Sequence, residues 1–157
     1  MQGFAAGGGF SLAMSGDLVV AAESAKFTMA YTRVGLTPDG SSTYFLARQI
    51  GLRRAMELAL TNRILTACEV LEWGLVSHVA ADGELLDVAE ALASKLATGA
   101  TWALGATKKL LQQGLNESLE TQMEMETRAI ADAVRTADAE EGIRAFLQKR
   151  KPAFRGR

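Results

Sequence analysis

Residues 3–17, GFAAGGGFSLAMSGD, decide the reading of this chain, because three consecutive glycines stand directly before a helix-forming run. Gly7, Gly8 and Gly9 have no Cβ, so a ligand can approach their backbone closely, and φ can turn positive where the turn needs it. Phe10, Leu12, Ala13 and Met14 then predict a short apolar helix whose first N–H groups lack intrahelical partners and point back at the loop. Such a turn favours negative charge. What is missing narrows the kind: no Gly-Lys-Ser/Thr follows, as a P-loop needs, and Leu12 stands where G-x-G-x-x-G spacing needs its third glycine. A nucleotide cradle is therefore disfavoured, whereas an oxyanion hole for an acyl carbonyl needs only one or two aimed N–H groups. A tight strand-to-helix turn without a ligand is the ordinary alternative.

The rest of the composition excludes several classes. The length, 157 residues, is that of one domain, and 48% apolar with 22% charged residues is the balance of a globular protein. A net charge of -1 and 6% aromatic content offer neither a basic stripe nor a base-stacking surface, so no nucleic-acid partner is expected. Cys68 is the single cysteine and His78 the single histidine, which rules out an internal disulfide and a Cys/His zinc site. No signal-like or bilayer-length apolar run is present, so the expectation is a cytoplasmic protein without a membrane partner.

Residues 18–22, LVVAA, read as a buried strand, and 26–29 as a second short extended piece. Thr37-Pro38-Asp39-Gly40 is a turn from which Ser41 or Ser42 opens a helix that Gly51 ends, and a further helix follows at 52–60. Thr66-x-x-Glu69 has capping-box spacing, so Thr66 starts a helix closed by Gly74, and 75–80 reads as a strand. From there the pattern is helical: 84–97, 102–114, 118–137 and 139–149, the last opened by Asp138-x-x-Glu141. Two or three short strands make a poor sheet by themselves. The expectation is that more sheet comes from residues ahead of Met1 or from another subunit, leaving an exposed strand edge near residues 2–6.

The segment GFAAGGGFSLAMSGDLVVAAESAKF closely resembles the second oxyanion-hole segment of the crotonase, or enoyl-CoA hydratase/isomerase, superfamily. The resemblance continues through VGLTPDGSSTYFLARQIG, RRAMELALTNRILTACEVLEWGLVSHV and EGIRAFLQKRKPAF, and so covers essentially the whole chain. It implies an α/β fold: residues 1–82 as the second half of a ββα spiral core, and 83–157 as a helical trimerisation and CoA-contacting region. It also implies an acyl-CoA substrate, with coenzyme A as part of that substrate and no permanently bound cofactor, and assembly as a homotrimer or hexamer. Members usually carry about a hundred more residues ahead of this point, in keeping with ordinary domain size.

Carried onto this sequence, the resemblance makes the Gly8 N–H an oxyanion donor and lines the acyl pocket with Ala6, Gly7, Tyr31 and Pro38. Where hydratases place their two glutamates, this chain has Ser11 and Tyr31, neither of which is a carboxylate. Asp39 is then the candidate acid/base, as in the branch that includes enoyl-CoA and ring-epoxide isomerases and an aryl-CoA dehalogenase. Read from its residues alone, Pro-Asp-Gly is a favoured turn and Asp39 a favoured N-cap. Phe146 and Lys149 match positions that touch CoA, although an amphipathic last helix with a cationic end needs no ligand to explain it. Ser11 reads as a polar helix residue, His78 as a solvent-side strand residue, and Cys68 as a small buried thiol. The leading expectation is an acyl-CoA isomerase. The alternatives are a hydrolytic dehalogenase, a hydratase-like enzyme, and a truncated, partner-dependent chain without catalysis.

Overall fold

The first half of the chain threads back and forth between two small sheets. A computed structural model describes residues 1–157, which form two compact units, Met1–Ala89 and Glu90–Arg157. In the first unit β1 (Phe4–Ala6) leads through Gly7 into α1 (Gly8–Met14), followed by β2 (Val20–Ala22) and β3 (Lys26–Thr28). A 3-10 turn at Tyr31–Val34 precedes α2 (Ser42–Thr61), and then come β4 (Leu65–Thr66), α3 (Ala67–Glu72) and β5 (His78–Ala80). One sheet has the order β1-β3-β4, with β1 parallel and β4 antiparallel to β3. The other pairs β2 with β5 in parallel, Val20 opposite His78.

The expected strands at 18–22 and 75–80 exist but are shorter. Pairing starts irregularly, because the Val19 carbonyl takes both the Ser77 and the His78 N–H while the Val19 N–H donates to the Ser77 hydroxyl. As foreseen for a parallel strand covered on both faces, Val20, Ala21 and Ala22 are all buried. The expectation of two or three strands is corrected to five. β4 has only two residues, too few to show any alternation in sequence.

Helix boundaries follow local chemistry. Gly51 interrupts α2 with φ 77 and ψ 155, a region open essentially to glycine, so the two predicted helices meet at a kink. Thr66 forms the capping box that its sequence predicts: its hydroxyl accepts the Glu69 N–H and the Glu69 carboxylate accepts the Thr66 N–H. Arg63 bridges Glu57 and Glu69 at 2.6 Å each, and its guanidinium lies over the Trp73 ring. Phe10 and Met14 of α1, Phe27 of β3, Met29 just beyond it, Leu46 and Leu58 of α2, Leu65 of β4 and Val70 of α3 are the largest fully buried apolar side chains of these elements. Each such burial stabilises by about 1.5–3 kcal/mol, before the entropy of ordering the chain is counted.

In the second unit α5 (Thr101–Gly114) packs on α6 (Leu119–Ala133), and α7 (Ala137–Leu147) follows; α4 (Leu85–Ala97) begins within the first unit. Two boundary expectations are corrected. α6 stops four residues before 137, because Thr136 adopts an extended backbone and becomes the N-cap of α7, accepting the Ala139 N–H. Asp138 therefore does not cap α7. It is 4% exposed, and its carboxylate instead accepts the N–H groups of Arg155 and Gly156 in the returning C-terminal tail. Glu141 likewise receives Arg150 and the Ala153 N–H from that tail. No helix is long and apolar enough to cross a membrane, and no cluster of three His, Cys, Asp or Glu side chains is placed to hold a metal ion.

Candidate active site

Gly7 sets the geometry of the candidate site. With φ 52 and ψ -123 it occupies a conformation that side-chain-bearing residues avoid, and its N–H donates to the Thr28 carbonyl at 3.3 Å. The turn thereby hands β1 over to α1. The helix starts earlier than the sequence suggests, since Gly8 and Gly9 already belong to its first turn and only Gly7 precedes it. Its ladder opens with the Ser11 N–H on the Gly7 carbonyl at 3.0 Å, so the N–H groups of Gly8, Gly9 and Phe10 lie ahead of the first intrahelical bond. Gly8 and Gly9 are exposed, and a Cβ on either would meet nothing within 4 Å. Ala6, the last residue of β1, is exposed beside this turn and registers with Thr28.

Tyr31 enters from β3. Ala30 takes a left-handed conformation, φ 57, that turns the chain sharply, and Tyr31 then opens the 3-10 turn with 8% of its surface exposed. Its hydroxyl donates to Asp39 Oδ1 at 2.6 Å, a short charge-assisted bond. Asp39 itself is exposed on the turn that follows Pro38, which is half-buried. The N-cap reading of Asp39 is corrected: its carboxylate goes to Tyr31, while α2 is preceded by Ser41 in a left-handed conformation with no side-chain cap. The Asp39 main-chain carbonyl anchors the turn instead. It accepts Ser42 N–H at 3.3 Å, Ser42 Oγ at 3.0 Å and Ser11 Oγ at 3.0 Å.

Ser11 is the residue that the sequence reading undervalued. It is 2% exposed, and its Oγ lies 2.8 Å from the Tyr31 hydroxyl as well as on the Asp39 carbonyl. A usable signal was present: Ser11 sits between Phe10 and Met14, three residues before the latter, and so on the buried stripe of α1. A hydroxyl on that stripe needs a partner. The structure thus gathers Gly7, Gly8, Ser11, Tyr31, Pro38 and Asp39 within the first unit. Phe146 and Lys149 belong to the second unit, where Phe146 is 82% exposed and Lys149 takes the left-handed position just past α7. The Arg150 N–H on the Ala145 carbonyl and the Lys149 N–H on Phe146 close that helix end. His78 is exposed on β5 as expected; Cys68 is exposed rather than buried, because it occupies the outer side of the first turn of α3.

A backbone turn whose N–H groups lie ahead of the first helical bond, with a carboxylate nearby, is a set suited to stabilising an oxyanion and moving a proton. Comparison with known proteins fits that chemistry: the family model for enoyl-CoA hydratase/isomerase matches residues 1–157. The chain belongs to the enoyl-CoA hydratase/isomerase family. Among curated relatives, the 1,2-epoxyphenylacetyl-CoA isomerase of Escherichia coli K12 is 44% identical over 157 residues, covering 100% of this chain and 60% of that protein. The 4-chlorobenzoyl coenzyme A dehalogenase-1 of an Arthrobacter species is 35% identical, covering 95% and 54%. The solved enoyl-CoA hydratase of Polaromonas sp. JS666 superposes with a TM-score of 0.94 at 38% identity, over 98% of this chain and 60% of that one. The chain spans about three-fifths of the length of the relatives it matches first. Its mixed α/β architecture is therefore that of the crotonase superfamily, whose members with matching sequences include isomerases, hydratases and a dehalogenase.

Proposed function

We propose that the protein carrying this chain is an acyl-CoA isomerase in which Asp39 shuttles one proton. The observation that carries the reading is the 2.6 Å bond from the Tyr31 hydroxyl to Asp39 Oδ1, which holds a lone carboxylate at the turn beside α1. Asp39 takes a proton from a carbon activated by the thioester carbonyl. The electron pair moves onto the carbonyl oxygen, where the Gly8 N–H stabilises the enolate, a contribution of ~3 kcal/mol for one such donor. The same proton returns at another carbon, and the double bond or ring has shifted. Ala6, Gly7, Tyr31 and Pro38 line the acyl group, and Phe146 and Lys149 contact coenzyme A. A homotrimer or hexamer in the cytoplasm belongs to the same proposal, as does the absence of a resident cofactor.

Ser11 and Tyr31 stand where the family's hydratases carry carboxylates, which supports isomerisation over hydration. The identity with a protein named 4-chlorobenzoyl coenzyme A dehalogenase-1 keeps a second reading, with Asp39 attacking an aryl-CoA ring to form an ester that water opens. Turnover of enoyl-, epoxy- and 4-chloroaryl-CoA thioesters in ¹⁸O-labelled water separates the two. A product isomeric with its substrate and free of label supports the shuttle; label in a phenolic product with released chloride supports the nucleophile. No turnover of any thioester by the protein that carries this chain would leave the non-catalytic alternative.

A further inference from the structure

We propose that Ser11 and Tyr31 act as positioning residues, forming a reversible hydroxyl chain behind Asp39 that keeps both buried O–H groups satisfied in either protonation state of the carboxyl. The inference rests on the proton-shuttling reading of Asp39 and adds to it how the shuttle is held. Five oxygens are involved. Tyr31 Oη lies 2.6 Å from Asp39 Oδ1 and 2.8 Å from Ser11 Oγ, and Ser11 Oγ lies 3.0 Å from the Asp39 carbonyl and 3.4 Å from that of Gly7. The run of bonds therefore begins and ends on the same residue.

Each hydroxyl owns a single hydrogen, and that fixes the directions. When Asp39 is ionised, Tyr31 donates to the carboxylate and Ser11 donates to Tyr31. After Asp39 has taken a proton, a hydrogen carried on Oδ2 leaves Oδ1 to accept from Tyr31 as before, whereas a hydrogen carried on Oδ1 is donated to Tyr31, Tyr31 turns to Ser11, and Ser11 turns to the Asp39 carbonyl. No hydrogen changes oxygen within the chain; each O–H rotates about its own C–O bond. Without Ser11 the second arrangement would leave the Tyr31 hydrogen without an acceptor in a residue 8% exposed, and an unmet buried donor is costly. The ring closes on Asp39 and Ser11 is 2% exposed, so this is not a wire to bulk water. Gly40 supplies an independent observation: a Cβ there would lie 2.9 Å from the Ser11 Cβ, so the Asp39 turn reaches Ser11 only because residue 40 lacks a side chain.

The test combines kinetics with a readout that needs no turnover. Tyr31→Phe is expected to lower kcat about tenfold with KM changed less than about twofold, the pattern of an interaction that matters in the transition state. Ser11→Ala is expected to lower kcat about three- to tenfold, and the double variant to fall no further than Tyr31→Phe within about twofold, because Ser11 acts only through Tyr31. With ζ-¹³C-tyrosine this chain contributes two signals, from Tyr31 and Tyr44, assigned by loss of each in Tyr31→Phe and Tyr44→Phe. Ser11→Ala and Asp39→Asn should each move the Tyr31 signal and leave that of Tyr44 in place. Multiplicative losses in the double variant, losses confined to KM, or a Tyr31 signal indifferent to Ser11→Ala would each overturn the proposal. If Asp39→Asn abolishes turnover while Tyr31→Phe and Ser11→Ala do not affect it, the shuttle stands and the hydroxyl chain falls. If Asp39→Asn leaves turnover intact, it is the shuttle that falls.

Discussion

Gly40 and Ser11 abut so closely that a methyl group on the glycine would sit 2.9 Å from the serine Cβ, and Gly40 also holds φ at 58. Space and conformation exclude a side chain together. Gly40→Ala is expected to cost about 1–3 kcal/mol in denaturant unfolding, by left-handed strain and overpacking, and to reduce turnover by displacing Asp39. An alanine variant with unchanged stability would show that the turn stands further from α1 than described.

Asp39→Asn should lower turnover by roughly 10² to 10⁴, the range for losing a general acid or base. Because the Asp39 carboxylate caps no helix, stability should barely move in Asp39→Asn, and Asp39→Ala should lose only the bond from Tyr31. Thermal unfolding alongside steady-state kinetics checks both. Near-normal turnover in Asp39→Asn, with a melting temperature lowered in Asp39→Ala, would return the residue to a structural role.

Acid lability should follow two glutamates. The Thr66 N–H and hydroxyl, followed by Arg63, hold Glu69 down at about 2, and Arg150 followed by the Ala153 N–H does the same for Glu141, against an ordinary 4.5. Between those values the unfolded chain binds the extra protons, so stability falls as pH drops from about 4.5 towards 2. Glu69→Gln and Glu141→Gln should flatten that fall in urea titrations at a series of pH values. Both ion pairs are partly exposed, so the share owed to Arg63 and Arg150 should shrink in high salt.

Lys149 permits a clean test of CoA contact. Its φ of 53 is a conformation that glycine adopts without strain, so Lys149→Gly removes the ammonium while easing the helix stop. The expected result is a KM for the CoA thioester raised several-fold, in the manner of lost uniform binding, with kcat unchanged. Phe146→Ala should act in the same direction. A KM unaffected by either change would leave these residues as the plain exposed end of α7.

Self-association is expected as well. Leu111, Leu115 and Leu119, with Ile130 and Val134, are exposed apolar side chains around α5 and α6. Sedimentation equilibrium at micromolar concentration should give a trimer or its dimer, and a monomer mass would exclude that assembly for this chain.

Much of this architecture was legible because short-range chemistry wrote it. The Thr66-x-x-Glu69 box rests on side chains that bond their own backbone, and the Gly51 break and the Gly7 turn on backbone conformations that only glycine adopts without strain. Asp138 shows the limit: its spacing to Glu141 imitates a capping box, yet Thr136 is better placed and the carboxylate is taken by a tail seventeen residues away. β4 escaped for a similar reason, since two residues become a strand only through Phe27 opposite Leu65. In the candidate site Asp39, Tyr31 and Gly8 could be named from their motifs. That Tyr31 takes the carboxylate away from α2, and that Ser11 stands behind it, depends on contacts 8 and 20 residues apart that no local rule encodes.

The interleaving of the two sheets bears on how the chain reaches its folded state. β1 and β3 are near neighbours in sequence, but β2 between them pairs with β5, and the Val19–Ser77 bond beside that pair spans 58 residues. The entropy of closing so long a loop must be met before the parallel pairing returns anything, which places this step late and makes it slow. During synthesis, an emerging chain can join β1 to β3 and Met1 to Val20 and Ala22 soon after residue 28, yet β2 lacks its partner strand until His78–Ala80 leaves the ribosome. At roughly 5–20 residues per second that is several seconds with an apolar strand exposed, the interval in which a chaperone would be needed.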